Sequence, residues 1–251
     1  ITLPPTYGMY RVLANINNIE NREVMLSEDF QPVLEAIEKK VDVNSKLLII
    51  CSPNNPTGNC MHHGTVKKII SRFKGLVIID EAYIDFAQSP SWIEELNRYP
   101  NLVVTQTFSK AYGLAGIRLG VCYAAKDIIS VLNTIKPPYN VNTLTQQRAS
   151  SALAQVGIVQ EQITQLMAER VKLYEQMRSI AFIKKVYPSE ANFILVRVDH
   201  AKKRYDQLLK KGIVVRDRSS QIHCENTLRF TIGTPTENQK LITILKELDH
   251  D

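Results

Sequence analysis

The sequence predicts an α/β fold in which a mostly parallel sheet forms a large domain and a small α+β domain follows it. Three short apolar runs, at residues 46–51, 76–80 and 101–107, alternate with segments whose apolar residues recur at helical spacing. Buried parallel strands joined by helices produce this alternation. Because the pattern changes after residue 175, we predict a large domain over residues 1–175 and a small C-terminal domain over residues 176–251.

The predicted elements of the large domain follow one another in a regular order. A helical pattern at residues 30–41 precedes the run KLLIICSP, and a second at residues 66–73 leads to the run LVIID. A short helix around residues 92–96 comes before the run NLVVTQT, and residues 143–180 are predicted to form a helical connection. Since two prolines and a glycine lie within residues 53–58, the first run must end in a loop.

The small domain is predicted from a different pattern, in which short apolar runs lie close together. Its first strand candidates precede one helix, and its last strand precedes a second helix near the C-terminus. The predicted strands cover residues 183–187, 192–198, 213–215 and 228–232, and the predicted helices cover residues 200–211 and the segment from residue 236 onward. This mixture is typical of an α+β domain beside a larger sheet.

Composition narrows the classes of function. The net charge is +6, but the lysines occur as short pairs among apolar residues at helical spacing, which favours solvated helix faces over one continuous basic surface for nucleic acid. The apolar runs are too short to cross a bilayer, so no membrane partner is predicted. Cys51, Cys60, Cys122 and Cys224 lack paired spacing, which favours reduced thiols and a cytoplasmic protein.

Two other motifs carry little weight. His62 and His63 are adjacent, but no third ligand lies near them in the sequence, so solvated histidines are favoured over a metal site. Gly113, Gly116 and Gly120 lack the spacing of the dinucleotide-binding fingerprint. No metal site is therefore predicted.

Polar residues follow each of the three apolar runs of the large domain. Asn55 lies in the loop after the first run, Asp80 closes the second, and Lys110 lies just past the third. In parallel α/β sheets ligands bind beyond the carboxyl ends of the strands, so these side chains are expected at one site. An unpaired acid at the end of an apolar strand is costly unless a cationic group meets it.

Each of these residues is ambiguous when taken alone. An Asp before a Glu is commonly a helix cap or part of a loop ion pair, and a single lysine is commonly on the surface. The string TFSKAYGLAGIRLG is more specific, because it places hydroxyl groups beside Lys110 and Arg118 eight residues after it. A pyridoxal 5′-phosphate (PLP) enzyme requires an amine, an acid for the ring nitrogen, donors for the phenolic oxygen and a cationic clamp for the phosphate.

At these residues the chain resembles the fold-type I, PLP-dependent aminotransferases, and within them the histidinol-phosphate branch. The shared motifs span nearly the whole chain. They are PPTYGMY at 4–10, CSPNNPTG at 51–58, DEAYIDF at 80–86, SKAYGLAGIRLG at 109–120, SEANFILVR at 189–197, GIVVRDR at 212–218 and LRFTIGT at 228–234. NPTG and the spacing from SK to Arg118 are shared by many aminotransferases, whereas PTYGMY, DEAYIDF and AGIRLG are typical of this branch.

The resemblance implies a role for each matching residue of the large domain. Lys110 would bind the cofactor as a Schiff base and then move the proton at the substrate α-carbon. Asp80 would pair with the ring nitrogen, and Tyr7 would lie over the ring face. The donors to the phenolic oxygen would be Asn55 and Tyr83, and the residues that hold the cofactor phosphate would be Thr107, Ser109 and Arg118.

In the small domain the resemblance assigns the substrate anions to arginines. Arg229 would receive the carboxylate of glutamate or 2-oxoglutarate in one half-reaction and the substrate phosphate in the other, with help from Arg216. From the residues alone, a surface ion pair of Arg216 with Asp217 or a neighbour and a purely structural Arg229 both remain open.

The function implied is transamination between histidinol phosphate and 2-oxoglutarate in histidine biosynthesis, by a homodimer whose partners are a small-molecule amino donor and a 2-oxo acid. Two alternatives remain open. One is a phosphothreonine decarboxylase of the same fold, whose members carry proline where Ala115 stands here, and the other is the effector domain of a transcription regulator. Family members also carry a segment before PPTYGMY, so we expect the chain to be the greater part of a longer protein, or a fragment that does not work alone.

Overall fold

A computed structural model describes residues 1–249, and two four-stranded sheets organise this part of the chain. The first sheet has the strand order β1-β2-β3-β4, and the second has the order β5-β6-β8-β7. The strands are β1 (Leu47–Cys51), β2 (Leu76–Asp80), β3 (Leu102–Thr107), β4 (Gly120–Ala124), β5 (Ile183–Val186), β6 (Phe193–Val198), β7 (Arg216–Asp217) and β8 (Thr227–Thr231). The α/β class predicted from the sequence is confirmed.

Eight α-helices lie within residues 1–249, most of them between strands or after them. Short 3-10 turns at Ile84–Phe86, Trp92–Glu95 and Ala115–Ile117 complete the connections of the first sheet. The α-helices are α1 (Met9–Ile16), α2 (Leu34–Lys40), α3 (His63–Arg72), α4 (Lys126–Ile135), α5 (Thr143–Ala154), α6 (Val156–Met177), α7 (Ala201–Lys210) and α8 (Pro235–Glu247). In the terminal helix α8, Thr234 and Glu237 form a reciprocal capping box at the N-terminus.

The first sheet is parallel from β1 to β3, and β4 adds an antiparallel edge. Its apolar residues are buried because α3 and the turn at Trp92–Glu95 cover the strands, and Leu48, Ile50 and Val77 are fully enclosed. Burying a side chain of this size stabilises the fold by about 1.5–3 kcal/mol. The parallel register sets Cys51 beside Asp80, so the carboxyl ends of β1 and β2 are level.

The second sheet packs its own apolar core against α6 and α8. Ile194 and Val196 of β6 meet Leu173 and Met177 of α6 within a cluster of buried side chains. The opposite face of β6 carries Leu195, which belongs to the core of the first sheet. The second sheet therefore contributes to both cores. The predicted domain boundary near residue 175 falls inside α6 and stays a prediction.

One strand prediction is wrong. Residues 213–215 do not form a strand, and β7 begins only at Arg216, where pairing with Arg229 starts. The backbone N–H of Ile213 instead donates to the carbonyl of Leu208, closing the end of α7, and Gly212 has a φ of 77°. A helix that ends in a left-handed glycine uses the following N–H groups, so they are not free for a sheet.

Some elements were not predicted from the sequence, and one helix begins later than expected. The unpredicted elements are α1, β4 and α4, and the helix expected from residue 30 begins at Leu34. Within the described part of the chain, no helix is long and apolar enough to cross a membrane.

The loop after β1 contacts the second sheet through its glycine. The N–H of Glu190 donates to the Gly58 carbonyl at 2.7 Å, and Gly58 has a φ of 83°. A Cβ atom at position 58 would lie 2.8 Å from the Cβ of Ser189. Only glycine fits both the left-handed backbone and this close approach.

We therefore expect Gly58→Ala to lower the free energy of unfolding by about 2–4 kcal/mol, the sum of backbone strain and overpacking. Gly64→Ala is the matched control, since a Cβ there meets nothing within 4 Å and the residue lies in α3. That change should leave stability equal or raise it by about 0.5–1 kcal/mol. Urea denaturation measures both, and a Gly58→Ala protein as stable as the parent would contradict the account of this junction.

Candidate active site

The carboxyl ends of the parallel strands bring three of the predicted residues to one edge of the first sheet. Asn55 follows β1, Asp80 ends β2, and Lys110 follows β3 by three residues. Burial is the main cause that raises the pKa of Asp80 and lowers the pKa of Lys110, but the charge of each group opposes the shift of the other. The two groups therefore lie close enough to interact. The sequence-based expectation that these side chains share one edge agrees with the geometry.

The carboxylate of Asp80 is largely buried and accepts two hydrogen bonds. The Tyr10 hydroxyl donates to Oδ2 at 2.5 Å, and the Ala82 N–H donates to Oδ1 at 3.1 Å. Burial raises the pKa of Asp80 above its ordinary value, while these two donors and Lys110 oppose that rise. The pKa of Tyr10 is also raised, chiefly by burial, so its hydroxyl stays protonated and acts as the donor.

Tyr10 is a site residue that the sequence analysis missed. It is the buried residue of α1, three positions after Tyr7, and the two rings meet edge to face with centroids 5.5 Å apart. Tyr7 is 44% exposed and borders the same edge of the sheet, so a ring bound there could lie against it. The spacing within PTYGMY was visible in the sequence, but the partner of Tyr10 is 70 residues away.

Asn55 is held in one orientation by Arg229. The Arg229 Nη1 donates to Oδ1 of Asn55 at 2.6 Å. An arginine only donates hydrogen bonds, so the amide nitrogen of Asn55 must face the other way. That nitrogen points to the Tyr83 hydroxyl at 3.5 Å. Burial raises the pKa of Tyr83 to about 12, so its hydroxyl also stays a donor. The two predicted donors are therefore adjacent.

Lys110 stands on a tight turn that continues from β3. Its carbonyl accepts from the N–H of Gly113, whose φ of 63° permits the turn. Its Nζ lies 5.4 Å from the centroid of the Tyr83 ring. Partial burial is the main cause that lowers the pKa of Lys110, and the positive charges of Arg229 and Arg118 lower it further. A larger share of the amine is neutral than in a solvated lysine.

The predicted phosphate residues line the same turn. The N–H of Ser109 donates to Oγ1 of Thr107 at 3.1 Å, which places the two hydroxyl-bearing residues together. Arg118 is exposed and has a φ of 54°, and its Nη1 donates to the Ala115 carbonyl at 2.9 Å. The remaining guanidinium nitrogens face solvent beside Lys110, whose pKa they influence.

The two predicted substrate arginines are neighbours in the second sheet. Arg216 of β7 lies directly opposite Arg229 of β8 in an antiparallel pair. The alternative left open for Arg216, a surface ion pair with Asp217 or a neighbour, is not formed among residues 1–249. Arg229 lies over the Phe193 ring, with its Cζ 4.6 Å from the centroid, and reaches the first sheet through Asn55.

Two further side chains near these motifs, those of Glu81 and His63, have structural partners. Glu81 is buried and accepts from the Ser91 hydroxyl, the Trp92 N–H and the Gln106 amide. It therefore links β3 to the start of the 3-10 turn at Trp92–Glu95. His63, expected to be solvated, instead stacks on Trp92 with ring centroids 4.4 Å apart, while His62 is exposed. No cluster of metal-ligating side chains is found in the described residues.

Residues 1–245 match the family described as aminotransferase class I and II. The chain belongs to this aminotransferase family. The match covers both sheets, so the second sheet is part of the family's architecture.

Individual members of the aminotransferase family are close in sequence or in structure. The histidinol-phosphate aminotransferase of Flavobacterium johnsoniae is 58% identical over 249 residues, which are 99% of this chain and 71% of that protein. The crystal structure of the histidinol-phosphate aminotransferase from Clostridium acetobutylicum superposes with a TM-score of 0.92 at 28% identity, covering 99% of this chain and 77% of that one.

A third comparison concerns a structure solved with a cofactor. The histidinol-phosphate aminotransferase from Sinorhizobium meliloti, in complex with pyridoxal-5′-phosphate, superposes with a TM-score of 0.89 at 23% identity, covering 99% of this chain and 70% of that one. At this identity the likeness establishes the shared fold. The fold-type I class predicted from the sequence is thereby confirmed.

The burial of Asp80 predicts how stability depends on pH in the cofactor-free protein. Its pKa in the folded state is raised, so the stability it contributes is fully present below its pKa in the unfolded chain and is lost as the pH rises through the folded pKa. Asparagine does not ionise. We expect Asp80→Asn to gain stability relative to the parent protein as the pH rises from acid to neutral, measured by urea denaturation across that range.

Tyr10→Phe provides the matched comparison, because it removes only the hydroxyl that donates to Asp80. Without this donor the carboxylate is less well stabilised, so the loss of stability with rising pH should be larger than in the parent. If the three proteins showed parallel stability curves over the whole range, neither burial of Asp80 nor the Tyr10 hydrogen bond would control its ionisation.

Proposed function

We propose that the chain catalyses PLP-dependent transamination between histidinol phosphate and 2-oxoglutarate in histidine biosynthesis. The observation that carries this proposal is the meeting of Asp80 and Lys110 at one sheet edge, beside the arginine pair of β7 and β8, for which residues 1–249 supply no acidic partner within 4.0 Å. The aminotransferases with the most similar sequences support the substrate, since the Flavobacterium johnsoniae relative bears the histidinol-phosphate name at 58% identity.

The residues at the sheet edge fit PLP group by group. Asp80 has lone pairs beyond those used by Tyr10 and Ala82, and a buried carboxylate is stabilised by a protonated ring nitrogen. Asn55 presents its NH₂ group next to the Tyr83 hydroxyl, which suits an anionic phenolic oxygen. The side chains left for the cofactor phosphate are those of Thr107, Ser109 and Arg118.

When bound, PLP supplies an electron sink for charge that develops at the substrate α-carbon. Lys110 is the group we assign to the proton at that carbon. Burial lowers its pKa, which raises the share of neutral amine that can accept the proton, and the Asp80 carboxylate nearby favours the protonated form. Tyr7, at the same edge, would exclude water from the cofactor face.

In both half-reactions the substrate carries an anionic group away from the reacting carbon, and this group needs a binding site. Arg229 reaches from the second sheet to Asn55, so an anion on its free nitrogens would lie beside the cofactor oxygen donors. Arg216 stands opposite on β7 and adds a second guanidinium. The planar guanidinium of arginine forms paired hydrogen bonds with carboxylates and with phosphates, so this arginine pair can bind glutamate and the phosphorylated amine in turn.

Of the two alternative functions, neither has a specific observation in its favour. The phosphothreonine decarboxylase branch carries proline where this chain has Ala115, which lies in the 3-10 turn ahead of Arg118. Sequence identity of 58% to a named aminotransferase over 99% of the chain supports the enzyme.

We also propose a homodimer in the cytoplasm. All four cysteines are free, which suits a reducing compartment. Homodimers are the commonest oligomers of soluble enzymes, and two large apolar side chains on α1, Leu13 and Ile16, are more than half exposed. Sedimentation of the purified enzyme, with any sequence that precedes Ile1 in its gene, tests the oligomeric state.

Lys110→Ala should abolish nearly all turnover, because Lys110 is the lysine of the described residues whose charge acts on Asp80. General acid–base catalysis alone contributes roughly 10²- to 10⁴-fold. Borohydride treatment with PLP, followed by peptide mapping, should place the label on Lys110 in the parent protein and nowhere in the variant. Lys240→Ala, on the exposed side of α8, is the control and should retain activity and label. Label on a different lysine would overturn the assignment.

Arg229→Ala should impair both half-reactions, because one cationic site serves both anions. Loss of hydrogen bonds to a charged group costs about 1.5–3 kcal/mol, or roughly 10- to 150-fold in kcat/KM. Single-turnover absorbance changes with glutamate and with histidinol phosphate measure the two half-reactions separately. Arg178→Ala, at the exposed end of α6, is the control. A defect confined to one half-reaction would mean that the two anions bind different residues.

A further inference from the structure

A third arginine lies on the same face of the second sheet as the substrate pair. Arg218 is the first residue after β7, and its N–H donates to the Thr227 carbonyl at 2.9 Å, which continues the ladder with β8. Side chains alternate along a strand, so Arg216 and Arg218 point to one face. Arg229, directly opposite Arg216, points to that face as well.

This face is turned towards the first sheet and the predicted cofactor site. Leu195, paired with Arg229 across β6 and β8, belongs to the core of the first sheet, and Arg229 itself donates to Asn55. Arg218 lies close enough to Tyr83 for the two groups to interact electrostatically. The three guanidinium groups therefore border the site from the side of the second sheet.

None of the three arginines has an acidic partner within 4.0 Å in the described part of the chain. The Nε atoms of Arg218 and Arg229 are buried without an acceptor. Asp217 lies between Arg216 and Arg218 in the chain and partly opposes the lowering of the Arg218 pKa that burial and Arg216 cause. It pairs in register with Leu228 on the other face, however, and accepts from the Ser219 N–H.

Such an arrangement costs stability unless an anion neutralises it. Like charges directly opposite each other across a sheet repel, and buried donors without acceptors add a further penalty. A carboxylate brings one negative charge. A phosphate monoester brings between about 1.5 and 2 negative charges near pH 7, with three acceptor oxygens. Three convergent guanidiniums match the second group better than the first.

We propose that Arg218 is a specificity-determining residue, which acts with Arg216 and Arg229 to favour the dianionic phosphate monoester of the amine substrate over the carboxylate of the 2-oxo acid. This inference rests on the proposed transamination. It assigns Arg229 to both anions and Arg218 to the phosphate alone, because a phosphate monoester concentrates about 1.5 to 2 charges and three acceptor oxygens in one group, whereas each of the two carboxylates of the 2-oxo acid carries one charge.

Arg218→Gln tests the inference in the PLP-loaded enzyme, with each half-reaction measured in single turnovers. The kcat/KM for the phosphorylated amine should fall by roughly 10- to 150-fold, the cost of a lost charged hydrogen bond. The kcat/KM for glutamate should change by less than about 3-fold, the size of a weak surface charge effect. Inhibition by inorganic phosphate should weaken in parallel, while inhibition by the dicarboxylate glutarate should not.

Arg197→Gln is the matched control. Arg197 flanks Thr227 on the side opposite Arg218, and its Nε is likewise buried without an acceptor, but its Nη2 donates to the His223 carbonyl and lies 3.6 Å from Glu225. Arg197→Gln should leave the ratio of kcat/KM between the two half-reactions unchanged. Arg218→Lys, which keeps a charge without the planar fork, should give an intermediate ratio and decides the question if Arg218→Gln does not fold.

The outcomes separate the inference from the function on which it rests. A parent enzyme that reacts with glutamate but not with the phosphorylated amine would refute the proposed substrate. A parent enzyme that uses both, with an Arg218→Gln variant that loses both equally or neither, would refute only the role of Arg218. A selective loss of the phosphorylated amine, together with weaker phosphate inhibition, supports it.

Discussion

The buried carboxylate of Asp80 is the constraint around which the site is built. An ionised acid removed from water is destabilising unless donors and a counter-charge surround it. Here the Tyr10 hydroxyl and the Ala82 N–H supply two donors. Tyr10 is the buried residue of α1, whereas Leu13 and Ile16 of the same helix are 51% and 72% exposed. The hydrogen bond to Asp80 therefore also anchors α1 to the sheet.

The second sheet completes the site through a few long-range contacts. Arg229 and Asn55 are 174 residues apart in the chain, yet their hydrogen bond fixes which side of the Asn55 amide faces Tyr83. Arg170 of α6 strengthens the same junction, because its Nη1 donates to the carbonyls of Phe86 and Ala191. The orientation of the hydrogen-bond donors at the sheet edge thus depends on packing between the two sheets. The close contact at Gly58 is part of that packing.

Most of the site residues were predicted from short sequence motifs. Asp80 and Lys110 were identifiable because apolar strands end at or just before them, and the carboxyl ends of parallel strands must meet. Tyr10 was missed because its importance comes from a partner 70 residues away. Residues 213–215 were assigned to a strand because they are apolar, but the end of α7 uses the N–H of Ile213. Apolar character predicts burial, whereas backbone hydrogen bonds decide strand pairing.

Charge links the arginines of the second sheet to the amine of the first. Arg229 helps to lower the pKa of Lys110, although partial burial has the larger effect. An anion bound at Arg229 would offset the positive charge that Lys110 senses, so the pKa of the amine would move back towards its ordinary value. Binding of the substrate anion at Arg229 therefore favours protonation of Lys110. In the proposed reaction, the bound anion would stabilise the protonated lysine that forms once the amine has accepted the proton from the substrate carbon.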